Sequence, residues 1–151
     1  MYGLDDPNSP LDLGKLTGSI QAHEGLRLKP YADSVGKLTI GYGRNLSDVG
    51  ISLQEATFLL QSDIDKAISA AQGESWWPHV SGNDPRARAM CELVFNLGVA
   101  GVRTFVQAVA ALCNDDFETA ANQFLNSKWA SQVGQRASIL SEMIRTGLDQ
   151  L

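Results

Sequence analysis

The chain has 151 residues, 44% of them apolar and 19% charged; these are ordinary values for one compact domain and exclude wholesale disorder. Its formal net charge of −5 argues against a dedicated nucleic-acid or anionic-membrane binder. No apolar run reaches the ~18–20 residues that span a bilayer, and Cys91 and Cys113 are too few for a disulfide framework or a metal cluster.

Residues 1–10 are acidic and broken by Pro7 and Pro10. They read as an irregular lead-in, without the basic start or apolar core of a signal peptide. Leu13, Leu16 and Ile20 recur at spacings of three and four and predict a helix over about 11–24, closed by Gly25. From Leu26 to Tyr42 apolar residues nearly alternate with polar ones. With Gly36, Gly41 and Gly43 between them, they predict a small antiparallel sheet of two or three short strands in a lobe over about 26–50. Ser52 and Glu55 form a capping box, and the stripe Leu53, Ala56, Leu60, Ile64, Ala67, Ala71 predicts a bridging helix over about 52–72.

A loop over 74–83 carries Trp76 and Trp77, which are expected to pack on or in the helical lobe. Asp84 then caps a helix with Pro85 in its first turn. That helix is apolar nearly all round as far as Leu97, as a central buried helix must be. Cys91 and Cys113 read as buried small hydrophobes. Further helices are expected at about 102–113, 116–126 and 134–146, with Trp129 in the core. The fold class is therefore α+β, mainly α. A helical lobe over about 74–151, together with the N-terminal helix, accompanies the sheet lobe. The whole of 1–151 is read as one domain.

Three residues between 24 and 39 draw attention. On a helical wheel Glu24 falls ~20° from Leu13 and ~40° from Ile20, on the apolar face. A carboxyl buried at a helix C-terminus is disfavoured as an anion, which suits a general acid. Asp33 stands in the turn between strands, where an aspartate commonly caps its own backbone. Thr39 follows in a strand. Together they set an acid at a helix end against a carboxylate and a hydroxyl on a sheet. Glycoside hydrolysis needs two such carboxyl groups flanking a cleft. His23 and His79 have no metal-ligand spacing, and Gly41-Tyr42-Gly43 lacks the Lys-Ser/Thr of a phosphate loop.

The run Glu24-Gly25-Leu26-Arg27-Leu28-Lys29-Pro30-Tyr31-Ala32-Asp33-Ser34-Val35-Gly36-Lys37-Leu38-Thr39-Ile40-Gly41-Tyr42-Gly43 resembles the signature of the T-even phage-type lysozymes, glycoside hydrolase family 24. The resemblance implies a catalytic triad of Glu24, Asp33 and Thr39. Elsewhere, Leu93-Val94-Phe95-Asn96-Leu97-Gly98 resembles the family's central-helix segment, which implies glycan contacts at Phe95 and Asn96, with backbone contacts near Gly43. Ser127-Lys128-Trp129, Arg136-Ala137 and Arg145-Thr146-Gly147 resemble later segments. By that likeness Arg136 orients Glu24. A two-lobed lysozyme-like fold is implied, in which a long helix joins the sheet lobe to the helical lobe.

The likeness implies a cofactor-free, metal-free, monomeric muramidase that cleaves the β-1,4 bond between N-acetylmuramic acid and N-acetylglucosamine in peptidoglycan. It also implies inversion, with the carboxyls ~6.5–9.5 Å apart to admit a water. Such an endolysin waits in the cytoplasm of the infected bacterium and reaches the wall through a holin, with neither nucleic acid nor stable membrane insertion involved. Departures stand beside the likeness. Arg44 replaces the His of the best-known member, so that member's His–Asp pair is not expected. Lys128 replaces an Arg, and the stretch from Leu46 to Ile51 is too short for a small-lobe helix. Two rivals remain: a lytic transglycosylase, which needs one acid only, and a non-catalytic wall-binding virion domain, which needs no triad.

Overall fold

A computed structural model describes residues 11–150; the lead-in expected over 1–10 lies outside the described residues. The chain divides into two compact units, Met1–Ala56 and Thr57–Leu151.

The first unit opens with α1 (Leu13–Glu24). Asp12 caps it by accepting from the Lys15 N–H at 2.9 Å, and Gly25 closes it at φ 70°. The sequence reading groups this helix with the helical lobe, whereas the structure places it in the compact unit of the sheet. The reason is local: only Gly25 and Leu26 separate α1 from β1. The expected apolar face is also uncovered. Leu16 and Ile20 are exposed, and α1 buries none of its residues.

Strands β1 (Arg27–Ala32), β2 (Leu38–Gly41) and β3 (Arg44–Asn45) form one antiparallel sheet in that order. Tyr31 stands opposite Thr39, and Thr39 opposite Asn45. The β1–β2 register breaks between Arg27 and Tyr31, where Pro30 has no N–H for the ladder. An edge strand tolerates that loss. Among the described residues of this unit, only Thr39 is buried.

Helix α2 (Leu53–Gln72) starts in the first unit and runs on into the second. The capping box forms as expected: Ser52 Oγ accepts from the Glu55 N–H at 3.1 Å, and Glu55 Oε2 accepts from the Ser52 N–H at 2.7 Å. Ala67 and Ala71 of the expected stripe are buried, but Leu53 and Leu60 nearer the helix start are exposed.

The second unit then adds α3 (Trp77–Val80), α4 (Asp84–Arg103), α5 (Val106–Cys113), α6 (Phe117–Leu125), α7 (Lys128–Val133) and α8 (Gln135–Thr146). Its core is built on Trp76, Met90, Leu93, Leu112, Phe124 and Ile144, with Trp129 buried as expected. Cys91 and Cys113 are free and half-buried rather than fully buried; burial pushes the Cys91 thiol up, away from its reactive thiolate. The cap of α4 is Asn83, one residue before the expected Asp84, with Oδ1 accepting from the Arg86 N–H at 3.0 Å. Gly98 breaks α4 at φ 70°, ψ 163°. Residues 99–103 continue α4 beyond the break, so the next helix begins at Val106 and not near 102.

The Arg145-Thr146-Gly147 segment has a clear structural basis. Gly147 ends α8 in the left-handed region at φ 69°. A Cβ there would lie 2.9 Å from Asn83 Nδ2 and 3.0 Å from Arg86 Cζ. Those two groups cannot withdraw cheaply. Asn83 Nδ2 donates to the Gly147 carbonyl at 3.1 Å, and Arg86 Nε donates to the Ile144 carbonyl at 2.8 Å. Gly147→Ala is therefore expected to lower unfolding free energy by about 2–3 kcal/mol, through backbone strain and the lost tie. A urea transition with an unchanged midpoint would contradict this account.

Candidate active site

Glu24 is the last residue of α1 and is exposed. The burial expected from periodicity is therefore absent, because the face it shares with Leu16 and Ile20 is open. What locates the carboxyl is Gly43. A Cβ on Gly43 would lie 2.7 Å from Glu24 Oε2 and 3.1 Å from its Cδ. The carboxyl thus rests against bare backbone in the β2–β3 turn, where Gly43 holds φ 80°. Two separate demands, positive φ and close approach, fall on one glycine.

Asp33 is half-buried at the β1–β2 turn. Its Oδ1 accepts from the Val35 N–H at 3.0 Å and from the Lys37 N–H at 2.8 Å. Its own N–H donates to the Lys37 carbonyl at 2.9 Å. The self-capping typical of a turn aspartate is therefore present, and it fixes the carboxylate through one oxygen. Among the described residues no hydrogen bond reaches Oδ2. The same carbonyl of Lys37 accepts from Thr39 Oγ1 at 3.1 Å. The Thr39 hydroxyl proton is thereby used, leaving its oxygen lone pairs to accept from another donor. Strand alternation from Tyr31, opposite Thr39, sets Asp33 and Thr39 toward the same face of the hairpin.

Arg44 occupies the position where a His–Asp pair is not expected, and it does a different task. Its guanidinium binds both oxygens of Glu55, at 2.9 and 2.7 Å, and donates to the Gly50 carbonyl at 3.2 Å. The cap of α2 is thus tied to β3. The Arg44 hydrogen bonds, with the Ser52 N–H, hold the Glu55 carboxyl down at about 2. Since this value lies below the ordinary carboxylate range, the stabilisation is present above that range and fades as pH falls toward 2. Sequence reasoning found the cap but not its partner, because pairing across 11 residues leaves no periodic trace.

The other expected site residues lie in the second unit. Phe95 is partly exposed and lines a hollow of about 560 Å³ with Leu60, Ile64, Cys91 and Met143. Arg136 lines the same hollow, and its Nε donates to Glu92 Oε1 at 2.8 Å. Its ion pair is thus with Glu92, a partner that the sequence reading did not name for it. Asn96 spends its carbonyl oxygen on Trp129 Nε1 at 2.8 Å, a structural bond also absent from the sequence reading.

The sequence profile of the phage lysozyme family matches residues 21–145 of this chain. The chain belongs to the phage lysozyme family. Among curated relatives, the pre-baseplate central spike protein of Enterobacteria phage T4 is 28% identical over 173 residues, covering 95% of this chain. The chain spans only 29% of that spike protein's length. An endolysin of Acyrthosiphon pisum secondary endosymbiont phage 1 is 30% identical over 124 residues, covering 80% of this chain and 82% of the relative. A probable T4-type lysozyme of Dictyostelium discoideum is 23% identical over 163 residues, covering 89% and 96%. Among the described residues, no single helix of this phage-lysozyme chain is long and apolar enough to cross a membrane.

Gly43→Ala tests the contact between turn and carboxyl. The new methyl must displace the Glu24 carboxyl and strain a left-handed residue. If the chain cleaves a glycan and that cleavage depends on this placement, the rate should fall roughly 10²-fold, as small misplacements of catalytic groups do. An unchanged rate would show that the Gly43 contact does not position Glu24.

Proposed function

We propose that this chain is a muramidase that hydrolyses the β-1,4 bond between N-acetylmuramic acid and N-acetylglucosamine in peptidoglycan. The observation that carries the reading is the division of labour within Asp33. One oxygen is locked by two backbone N–H groups while the other accepts no hydrogen bond among the described residues. That is the arrangement of a base held in place by its own turn. Family membership and the endolysin relative support the reaction class.

In this mechanism Glu24 gives its proton to the glycosidic oxygen, and the bond from that oxygen to the muramic acid anomeric carbon breaks. A water forms the new bond to that carbon. Its proton passes to Asp33 Oδ2, and its other hydrogen is held by Thr39 Oγ1. Glu24 regains its proton, and Asp33 loses one, through solvent. Because Thr39 already donates to the Lys37 carbonyl, it meets the water as an acceptor only. Phe95, Asn96 and the backbone near Gly43 contribute glycan contacts, a role supported by the family likeness.

Water attacking from the face opposite the leaving group inverts the anomeric carbon. The first product from the β-linked glycan should therefore be the α anomer. Proton NMR of the anomeric signal before mutarotation checks this. An initial β anomer, or a glycosyl group trapped on Asp33, would make Asp33 a nucleophile and remove the water-holding role of Thr39.

The endolysin relative supports a role in host-cell lysis; that the chain acts as a monomer and reaches the wall through a holin belongs to the proposal alone. The spike-protein relative favours a second setting, a lysozyme carried within the virion. Detection of the chain in purified particles supports the second setting; its confinement to the soluble fraction of lysing cells supports the first.

A further inference from the structure

Lys37 is the bracket of the proposed water site. Its N–H holds Asp33 Oδ1, and its carbonyl takes both the Asp33 N–H and the Thr39 hydroxyl. Its side chain carries an ammonium on a flexible four-carbon stem. A stem rooted beside Asp33 is long enough to fold back on that carboxylate. An ammonium on Oδ2 would occupy the oxygen that must receive the water's proton. The bracket therefore brings a competitor with it.

The structure shows where that competitor goes. Lys37 Nζ lies 2.8 Å from Asp48 Oδ1. Asp48 is itself held by a reciprocal pair with Asn45. The Asp48 N–H donates to Asn45 Oδ1, and Asn45 Nδ2 donates to Asp48 Oδ2, both at 3.0 Å. Asn45 is the cross-strand neighbour of Thr39. The segment is tied to β2 a second time, since the Leu38 N–H donates to Ser47 Oγ at 2.9 Å and the Leu46 N–H donates to the Leu38 carbonyl at 2.7 Å. The two Asp48 oxygens thus have separate partners: one faces the ammonium, the other the strand that carries Thr39's neighbour.

We infer that Asp48 is a positioning residue that draws the Lys37 ammonium away from Asp33 and keeps Asp33 Oδ2 open to the attacking water. The inference rests on the muramidase reading above. Both partners are substantially exposed, with side chains at 43% and 53% accessibility. An exposed pair of this kind is weak and salt-sensitive, so the effect is a tuning of rate and not an absolute requirement.

The test is a double-mutant cycle of Asp48→Asn and Lys37→Met, read as kcat and KM on purified peptidoglycan fragments. Asp48→Asn keeps an oxygen for Asn45 and removes only the charge that holds Lys37. It should lower kcat about two- to fivefold with KM little changed, the range set by the strength of an exposed ion pair. The loss should shrink as salt screens the released ammonium. In the Lys37→Met background the same Asp48→Asn change should do nothing further, whatever Lys37→Met does alone. An equal loss in both backgrounds would give Asp48 a purely structural role and overturn the inference; an unchanged kcat in Asp48→Asn would also overturn it. Asp48→Ser, which keeps a hydroxyl for Asn45, runs the same cycle if Asp48→Asn fails to fold. A wild-type chain that cleaves no glycan overturns the muramidase reading, and this inference with it.

Discussion

Glu24→Gln is expected to lower the rate of glycan cleavage by roughly 10²–10⁴-fold, the usual contribution of a general acid. The amide has the shape of the carboxyl but no proton to give to the leaving oxygen. Stability should barely move, because Glu24 is exposed and buries nothing; a surface change of this kind stays within about 0.5 kcal/mol. The check is an initial rate on purified peptidoglycan paired with a denaturation curve. Comparable cleavage by the variant would remove Glu24 from the mechanism. A loss of rate accompanied by unfolding would mean that the residue is structural.

Asp33 should separate its two duties when replaced in two ways. Asp33→Asn keeps an oxygen for the Val35 and Lys37 N–H groups, so the hairpin is retained. It loses the negative charge that takes the water's proton in the proposed mechanism, and the rate should drop by roughly 10²–10⁴-fold. Asp33→Ala should lose the rate to the same extent. It also leaves both N–H groups without their side-chain acceptor, which costs about 1–2 kcal/mol of stability. Rates and melting curves of the two variants side by side decide the matter. If only Asp33→Ala lost activity, the aspartate would be a turn former with no part in the chemistry.

Much of the structure around the candidate site was legible because it is local. Glu24, Asp33, Thr39 and Gly43 lie within 20 consecutive residues, and the helix end, hairpin and turn that hold them are each set by neighbours in sequence. The capping box at Ser52 and Glu55 was legible for the same reason. What periodicity could not supply was whether a face is covered. It placed Glu24 beside Leu13 and Ile20 correctly, and then took a shared apolar face for a buried one. The exposed Leu16 and Ile20 show that the step from pattern to burial does not follow. Ties across distance were equally silent: Arg44 to Glu55, Arg136 to Glu92, Asn96 to Trp129 and Lys37 to Asp48. Short helices escaped because four or six residues carry too little period to register; α3 and α7 are of this kind.

The most direct test of the central claim is the identity of the new muramic acid end when the chain digests purified peptidoglycan in heavy-oxygen water. Mass spectrometry of the fragments reads it without ambiguity. Hydrolysis by water held at Asp33 and Thr39 predicts a reducing N-acetylmuramic acid end carrying one solvent oxygen, formed by the wild-type chain and not by Glu24→Gln. A 1,6-anhydromuramic end without solvent oxygen would mean that the sugar's own hydroxyl attacks and that no water is activated. Intact glycan would mean that the chain is no muramidase.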